Sequence, residues 1–188
     1  IAKALNRKAH IVVDEVNASV RPLKERFYTN DYDDDMLVSG EEAVRLVDET
    51  TLLVIVDVNK GEHTECPELI ELAQSIVVID HHRQAGDAIA KAVLFYIEPY
   101  ASSASEMVAE ICQYIGGGLK LRAAEAEALY AGVMIDTNYF TDKTGVRTFE
   151  AMAYLKRNGA DSVRIRKMFR EDINEYTICL LSTSPSPR

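Results

Sequence analysis

The segment SIVVIDHHRQ, residues 75–84, decides the fold class of this chain and raises the question of its function. Residues 76–79 are consecutively apolar, as in a strand buried on both faces. They lead directly into an acid and two histidines, Asp80, His81 and His82. Burying a carboxylate beside two imidazoles is costly unless something compensates the charge. The triplet therefore either belongs to a hydrogen-bonded polar network at a sheet edge or holds a metal ion.

Short apolar segments alternate with helical patterns around this strand. We predict strands over residues 9–16, 51–59, 76–80 and 91–99, and longer helices over residues 103–115, 122–136, 148–157 and 162–170. A capping box of Ser39 and Glu42 predicts a short helix that ends near residue 48. Gly159 fits a left-handed helix cap, and Asp161 fits the start of the next helix. Continuous apolar strands separated by helices are typical of a parallel sheet covered on both faces, so we predict an α/β fold.

Length and composition limit the class of protein. The chain has 188 residues, 47% of them hydrophobic, and no apolar run long enough to span a bilayer. A net charge of −9 argues against a broad basic surface that binds long nucleic acids. Three cysteines at unrelated spacings predict no disulfide framework and favour a reducing compartment. We expect a domain over residues 1–176, a separate Ser/Pro tail over residues 177–188, and, because the first residue is not methionine, a fragment.

Three carboxylates and the histidine pair each follow an apolar element. Asp57 ends the second predicted strand, the triplet ends the third, and Asp136 follows the apolar helix EALYAGVMID. Ligands of open parallel sheets bind outside the carboxyl ends of the strands, so these side chains are placed to share one crevice. A single Asp after a strand is more often a turn residue or a helix cap, but adjacent histidines at a strand end seldom both find core partners.

A mixed shell of imidazole and carboxylate suits manganese, zinc or iron better than calcium, and its carboxylate content favours manganese or magnesium. Such a shell serves phosphoester hydrolysis, in which two cations about 3.5–4 Å apart activate water and hold the attacking and leaving oxygens. The pattern therefore favours a metal-dependent phosphoesterase site.

Five motifs extend the pattern beyond the triplet, namely LLVIVDVN, VVIDHHR, YIEPYASSASEMVAEI, AGVMIDTNYF and TGVRTFEAMAYLKRNGAD. In this order the chain resembles the DHH phosphoesterase superfamily, named for the triplet Asp80–His82. It is most similar to the cyclic-di-AMP phosphodiesterases that join membrane helices, a PAS domain and a degenerate GGDEF domain to a DHH module. Oligoribonuclease relatives share the ASS segment but are less similar around GVRTFEAMAYL.

The resemblance implies roles for individual residues. It implies Asp57, His81 and Asp136 as metal ligands, Asp80 as the acceptor that orients its neighbouring imidazole, and His82 as a catalytic group toward the substrate phosphate. The implied reaction is hydrolysis of one phosphodiester of cyclic di-AMP to linear pApA, with two Mn²⁺ per complete site and Mg²⁺ or Co²⁺ as substitutes. It also implies a homodimer at the cytoplasmic face of the membrane, anchored by N-terminal segments, whereas this fragment itself is expected to be soluble.

Two features of the family are missing from the pattern: a first motif with His and an Asp-x-Asp pair, and the C-terminal DHHA1 subdomain. We therefore expect part of a site and no turnover from this chain alone. Two alternatives remain open. One is a hydrolase of the same family that acts on short oligonucleotides, nucleoside bisphosphates or pyrophosphate. The other is a catalytically dead nucleotide-binding module.

Further candidates for substrate contact are Ser102, Ser103, Arg83 and Arg147. Ser103 and Glu106 have the spacing of a capping box, and the N-terminus of a helix offers N–H groups to a phosphate. Surface arginines, by contrast, are usually just solvated.

Two other clusters are assigned to the surface. The acids of NDYDDDML, Asp31 and residues 33–35, predict a solvated loop because like charges repel. His63 and Cys66 have a spacing that zinc accepts, but no second pair completes four ligands.

Overall fold

The computed structural model describes residues 1–16, 20–28, 32, 34–83 and 89–169. The strands are β1 (Ile11–Val12), β2 (Leu37–Val38), β3 (Leu52–Val56), β4 (Ser75–Asp80) and β5 (Ala92–Ile97). The helices are α1 (Arg21–Tyr28), α2 (Gly40–Leu46), α3 (Glu68–Leu72), α4 (Ala104–Tyr114), α5 (Ala123–Asp136) and α6 (Val146–Arg157). Residues 162–169 are also helical. The predicted α/β class is confirmed, whereas Arg170 and the predicted tail lie outside the described residues.

The described strands form two parallel sheets. One contains β3, β4 and β5 in that order, with β4 at the centre. The other pairs β1 with β2, a strand that the sequence interpretation missed. The first strand, predicted over residues 9–16, has only two residues because its partner β2 is equally short. The ladder ends where the Val13 N–H donates to the Val38 carbonyl at 3.0 Å.

The faces of the three-stranded sheet are unequally covered. Ile76 and Val78 of β4 are fully buried in a cluster with Ile55 of β3. On the other face, Ile79 packs against Met107 of α4. Leu52, Val54 and Val56, however, are about half exposed. The prediction that both faces are covered is therefore wrong for β3, because this edge strand has one face that no described element covers.

Helix boundaries follow the capping side chains. The capping box of Ser39 and Glu42 forms as predicted. The helix predicted from residue 148 begins at Val146, because the Thr148 hydroxyl accepts a hydrogen bond from the Gly145 N–H at 3.1 Å, one turn upstream. Gly159 has the left-handed φ of 94° expected of a helix cap. Among the described helices, none has both the length and the apolar composition needed to cross a bilayer.

The helical layer contains the largest core cluster. Met134 of α5, Leu155 of α6 and Ile165 of the last helical stretch are fully buried there, beside Ala109 of α4. Because α5 is buried along most of its length, packing fixes the place of its last residue, Asp136. This layer therefore sets one side of the site described below.

Gly132 allows α4 and α5 to approach closely. A Cβ atom at this position would lie 2.1 Å from Ser105 Oγ and 3.0 Å from Ser105 Cβ. We expect Gly132→Val to lower the free energy of unfolding by about 2 kcal/mol, because the branched side chain must push α4 away. Urea denaturation measures the loss, and Ser105→Gly in the same chain should restore part of it. Unchanged stability of Gly132→Val would contradict the close approach.

Candidate metal centre

Three elements bring the predicted ligands together at the carboxyl ends of β3 and β4. Asp57 directly follows β3, and its backbone N–H donates to the Ile79 carbonyl at 2.9 Å, which continues the ladder. His81 directly follows β4, and Asp136 is the last residue of α5. Parallel strands place their carboxyl ends at one edge, which explains the meeting of Asp57 and His81.

Two carboxylates approach the same ring nitrogen of His81. Its Nε2 atom is 3.3 Å from Asp57 Oδ1 and 3.9 Å from Asp136 Oδ2, while only 8% of its side chain is exposed. Asp57, His81 and His82 each offer one ligand atom, and these atoms all lie within 4.8 Å of one another. Neutral imidazole and carboxylate oxygen suit a divalent transition metal such as Mn²⁺, so the residues fit such an ion.

The backbone of Asp57 adopts a left-handed conformation, with φ of 65°. This conformation is uncommon outside glycine, although aspartate tolerates it better than most residues. Residues in such conformations cluster at functional sites, where the surrounding structure holds them. In this conformation the Asp57 carboxylate lies 3.3 Å from His81 Nε2.

Asp80 orients an imidazole, and that imidazole belongs to His82. Asp80 Oδ1 accepts hydrogen bonds from the His82 backbone N–H at 3.1 Å and from His82 Nδ1 at 2.8 Å. The carboxylate is 1% exposed. The two readings of the triplet are compatible: Asp80 forms a hydrogen-bonded network with His82, whereas His81 faces the carboxylates of Asp57 and Asp136.

The surroundings of Asp136 disfavour its charged form. Partial burial, and then the negative charge of Asp57, raise the pKa of Asp136 above its usual value, while His81 and His82 act in the opposite direction. A cation held between the carboxylates would reverse this effect, because it favours the charged form.

Asp136→Asn should make the metal-free protein more stable at neutral pH. A raised folded-state pKa means that the charged form is penalised, and the penalty is fully present above that pKa. As the pH falls through the raised pKa toward the usual aspartate value, the wild type recovers this stability, whereas the variant has nothing to recover. Thermal unfolding of both proteins in EDTA across this acidic range measures the difference. A variant less stable than wild type at neutral pH would contradict the prediction.

The serines proposed for substrate contact are engaged within the fold. Ser102 and Ser103 are fully buried. The Ser103 hydroxyl accepts from the Glu106 N–H at 3.0 Å, but the Glu106 carboxylate accepts from the Ser102 hydroxyl in a very short hydrogen bond. Ser103 thus caps α4 as predicted, whereas the Glu106 side chain turns to Ser102. Contact of either serine with substrate stays a prediction.

The two arginines differ in their surroundings. Arg147 donates bidentate hydrogen bonds to the Glu110 carboxylate, from Nε at 2.9 Å and from an amino group at 2.8 Å. Its other amino group lies 3.5 Å from Glu98 Oε2. These carboxylates hold Arg147 against α4 and the end of β5, and they compete with any phosphate. Arg83 is exposed directly after the triplet. It keeps the better position for an anion, and its role stays a prediction.

The clusters assigned to the surface lie apart from this centre. Asp35 pairs with Lys8 at 2.7 Å in an exposed contact, while Asp31 and Asp33 lie outside the described residues. His63 is largely exposed beside Glu62, and Cys66 contacts the Gly40 carbonyl. Within the described part of the chain, Asp57, His81 and His82 form the sole group with metal-ligand spacing.

Sequence reasoning missed two residues of the centre. Asn59 is buried, and its amide donates to Asp80 Oδ2 at 2.7 Å. The positive charge of Lys143 lowers the pKa of Asp136 slightly, against the larger effects of burial and Asp57. Asn59 could have been found from its place two residues after Asp57, whereas the place of Lys143 depends on the turn after α5.

Curated relatives match this chain over about half to nearly all of its length. The cyclic-di-AMP phosphodiesterase GdpP of Bacillus subtilis is 38% identical over 178 residues, which cover 94% of this chain and 27% of the relative. The "Probable manganese-dependent inorganic pyrophosphatase" of Thermotoga maritima is 35% identical over 99 residues, covering 53% of this chain and 18% of the relative. This chain thus spans about a quarter of the length of GdpP.

A solved structure shares the fold. The exopolyphosphatase-related protein of Bacteroides fragilis superposes with a TM-score of 0.72 at 20% identity, covering 88% of this chain and 48% of that one. The family model described as "DHH family, N-terminal domain" matches residues 4–133, which include the triplet and most of α5. The chain therefore belongs to the DHH family, through its N-terminal domain.

Proposed function

We propose that this chain is the metal-binding part of a phosphodiesterase that hydrolyses cyclic di-AMP to linear pApA. The approach of Asp57 and Asp136 to the same atom, His81 Nε2, carries the proposal. The similarity to GdpP along nearly the whole chain supports the choice of substrate.

In this proposal Asp57, His81 and Asp136 hold the metal ion. When bound, the ion supplies Lewis acidity toward a phosphoryl oxygen and makes a nearby water more acidic. His82 receives a fixed orientation from Asp80 and serves as the group that holds or passes a proton at the substrate phosphate. Asp80 stays buried behind it, so its own charge acts through the imidazole.

Three finer points belong to the same proposal. Mn²⁺ is the proposed ion, supported by the donor set and by the name of the Thermotoga maritima relative. A cyclic dinucleotide is the proposed partner, rather than a long nucleic acid, in keeping with the net charge of −9. We further propose a homodimer on the cytoplasmic face of the membrane for the whole protein.

The test is product analysis with cyclic di-AMP and Mn²⁺, made on the protein at its natural length. We expect pApA as the product and no hydrolysis in EDTA, with activity restored by Mn²⁺. Retained hydrolysis in EDTA, or intact cyclic di-AMP after Mn²⁺ is added, would overturn the proposal.

Pyrophosphate hydrolysis is the second candidate, favoured by the relative from Thermotoga maritima. Both reactions use the same ligands, so the distinction lies in the substrate. Pyrophosphate, a short oligonucleotide and a nucleoside bisphosphate are therefore assayed beside cyclic di-AMP. Faster turnover of any of these three would replace the cyclic dinucleotide in the proposal.

A further inference from the structure

We propose that Asn59 is a positioning residue of the metal centre, which holds Asp80 and, through it, the imidazole of His82. The inference rests on the proposed metal centre and adds a residue to it. Asn59 is 7% exposed, and its Nδ2 atom donates to Asp80 Oδ2 at 2.7 Å. The same amide lies 3.4 Å from the His82 carbonyl oxygen, a second and weaker contact.

Asn59 completes the environment of a buried carboxylate. Asp80 Oδ1 takes two donors from His82, and Asp80 Oδ2 takes the amide of Asn59. Without that amide the buried Oδ2 atom loses its donor, and a buried acceptor left unpaired is costly. The carboxylate would then turn to find another donor, and its hold on His82 would weaken.

The orientation of His82 depends on that hold. The His82 side chain is 59% exposed, and two contacts restrict its ring: the hydrogen bond to Asp80 and a tilted ring contact with His81, with centroids 4.3 Å apart. An ionised carboxylate only accepts hydrogen bonds, so in the neutral imidazole this contact requires the hydrogen on Nδ1 of His82 and leaves Nε2 with its lone pair. Asn59 thereby selects which nitrogen of His82 is available to a ligand or a substrate.

Asn59 also ties together the two strand ends that carry the ligands. It lies on the turn that begins with Asp57, whose backbone is in the left-handed conformation. Its hydrogen bond crosses to Asp80, the residue before His81. One amide thus connects the turn that presents Asp57 to the turn that presents the histidines, and it keeps their ligand atoms within reach of one ion.

The test compares Asn59→Ala and Asn59→Asp with wild type. ¹⁵N NMR of the imidazoles, recorded without metal and at a pH where the rings are neutral, reports which His82 nitrogen carries the hydrogen. We expect the Nδ1–H form in wild type and a mixture of both forms in the variants. Because the Asn59 amide also joins the turn that carries Asp57 to the strand end that carries His81, calorimetric titration should show Mn²⁺ affinity lowered by about 10–100-fold, as for other residues that orient metal ligands.

The Asn59→Asp variant distinguishes a role of Asn59 in positioning Asp80 from a role in filling space. The aspartate has nearly the same shape, but it faces Asp80 with an acceptor instead of a donor. It should therefore disturb His82 at least as strongly as alanine does, whereas a residue that only fills space would tolerate it.

Asn158→Ala is the matched control. Asn158 is a half-buried amide that accepts from the Leu121 N–H at 2.9 Å and donates to the Tyr154 carbonyl at 2.9 Å, within the helical layer. Its loss should lower the melting temperature and leave the His82 spectrum and the Mn²⁺ affinity unchanged.

The possible outcomes test the positioning role of Asn59 and the proposed metal centre independently. If His82 keeps the Nδ1–H form in both Asn59 variants, the positioning role is wrong. The same conclusion follows if Asn158→Ala shifts His82 equally. If wild type takes up no Mn²⁺ while the His82 form still depends on Asn59, the metal centre fails and the positioning role stands.

Discussion

Replacing His81 with alanine is expected to weaken Mn²⁺ binding by more than about a hundredfold. Loss of a residue that merely orients a metal ligand costs about 10–100-fold in affinity, and loss of a ligand costs more. His81 is the residue whose Nε2 atom faces both Asp57 and Asp136.

The measurement is a calorimetric titration of Mn²⁺ into wild type and into His81→Ala. His63→Ala is the matched control, because His63 is a largely exposed histidine whose nearest acid is Glu62, at 3.6 Å. It should bind Mn²⁺ as wild type does, which also tests the rejected pairing of His63 with Cys66. The same far-UV spectrum for all three proteins would show that the fold is kept. Wild-type affinity in His81→Ala would mean that His81 is not a ligand.

The convergence of Asp57, His81 and Asp136 was predictable because it depends on a general property of the fold. Strand ends of a parallel sheet share an edge, and an apolar helix that ends in an acid can bring it there. Each residue followed an apolar run in the sequence, so its place could be inferred without knowledge of its contacts. The structure places these three side chains together, while their roles as ligands stay predictions.

The contacts of polar side chains were not predictable in the same way. Ser103 and Glu106 have the spacing of a capping box, yet the Glu106 carboxylate binds the Ser102 hydroxyl. Asn59 is the last residue of the strand predicted over residues 51–59, and its contact with Asp80 depends on the alignment of β3 with β4. Such choices depend on which partner tertiary packing brings within about 3 Å, and local spacing does not contain that information.

The covering of the two sheet faces was also not predictable from the sequence. The run LLVIV has the composition of a strand buried on both faces, but β3 is an edge strand and alternates between buried and exposed positions. Composition indicates that a strand is suited to burial on both faces, whereas its neighbours decide whether both are covered. The same reasoning explains the length of β1, which its short partner β2 determines.

Glu127→Gln is expected to lower the free energy of unfolding by about 3 kcal/mol, because the fully buried side chain loses one of its two charge-assisted hydrogen bonds to arginine and turns an N–H group toward a donor instead. Glu127 lies within α5 and is completely buried. Its Oε2 atom is 2.8 Å from Arg26 Nε on α1, and its Oε1 atom is 2.7 Å from an amino group of Arg164 in the last helical stretch. Glutamine keeps the shape but turns an N–H group toward one of the two arginine donors.

An exposed pair of the same residue types provides the control. Glu41 and Arg45 lie 3.1 Å apart on the surface of α2, and pairs of this kind contribute less than about 0.5 kcal/mol. Urea denaturation of Glu127→Gln and Glu41→Gln should therefore give clearly different losses. Equal losses would mean that burial adds nothing to the Glu127 network. Because α5 ends at Asp136, unfolding of the Glu127→Gln protein also removes the proposed metal site. The variant therefore changes the fraction of molecules that are folded and able to bind Mn²⁺, but not the site in the folded protein. Mn²⁺ affinity of the folded Glu127→Gln protein should match wild type, unlike that of His81→Ala.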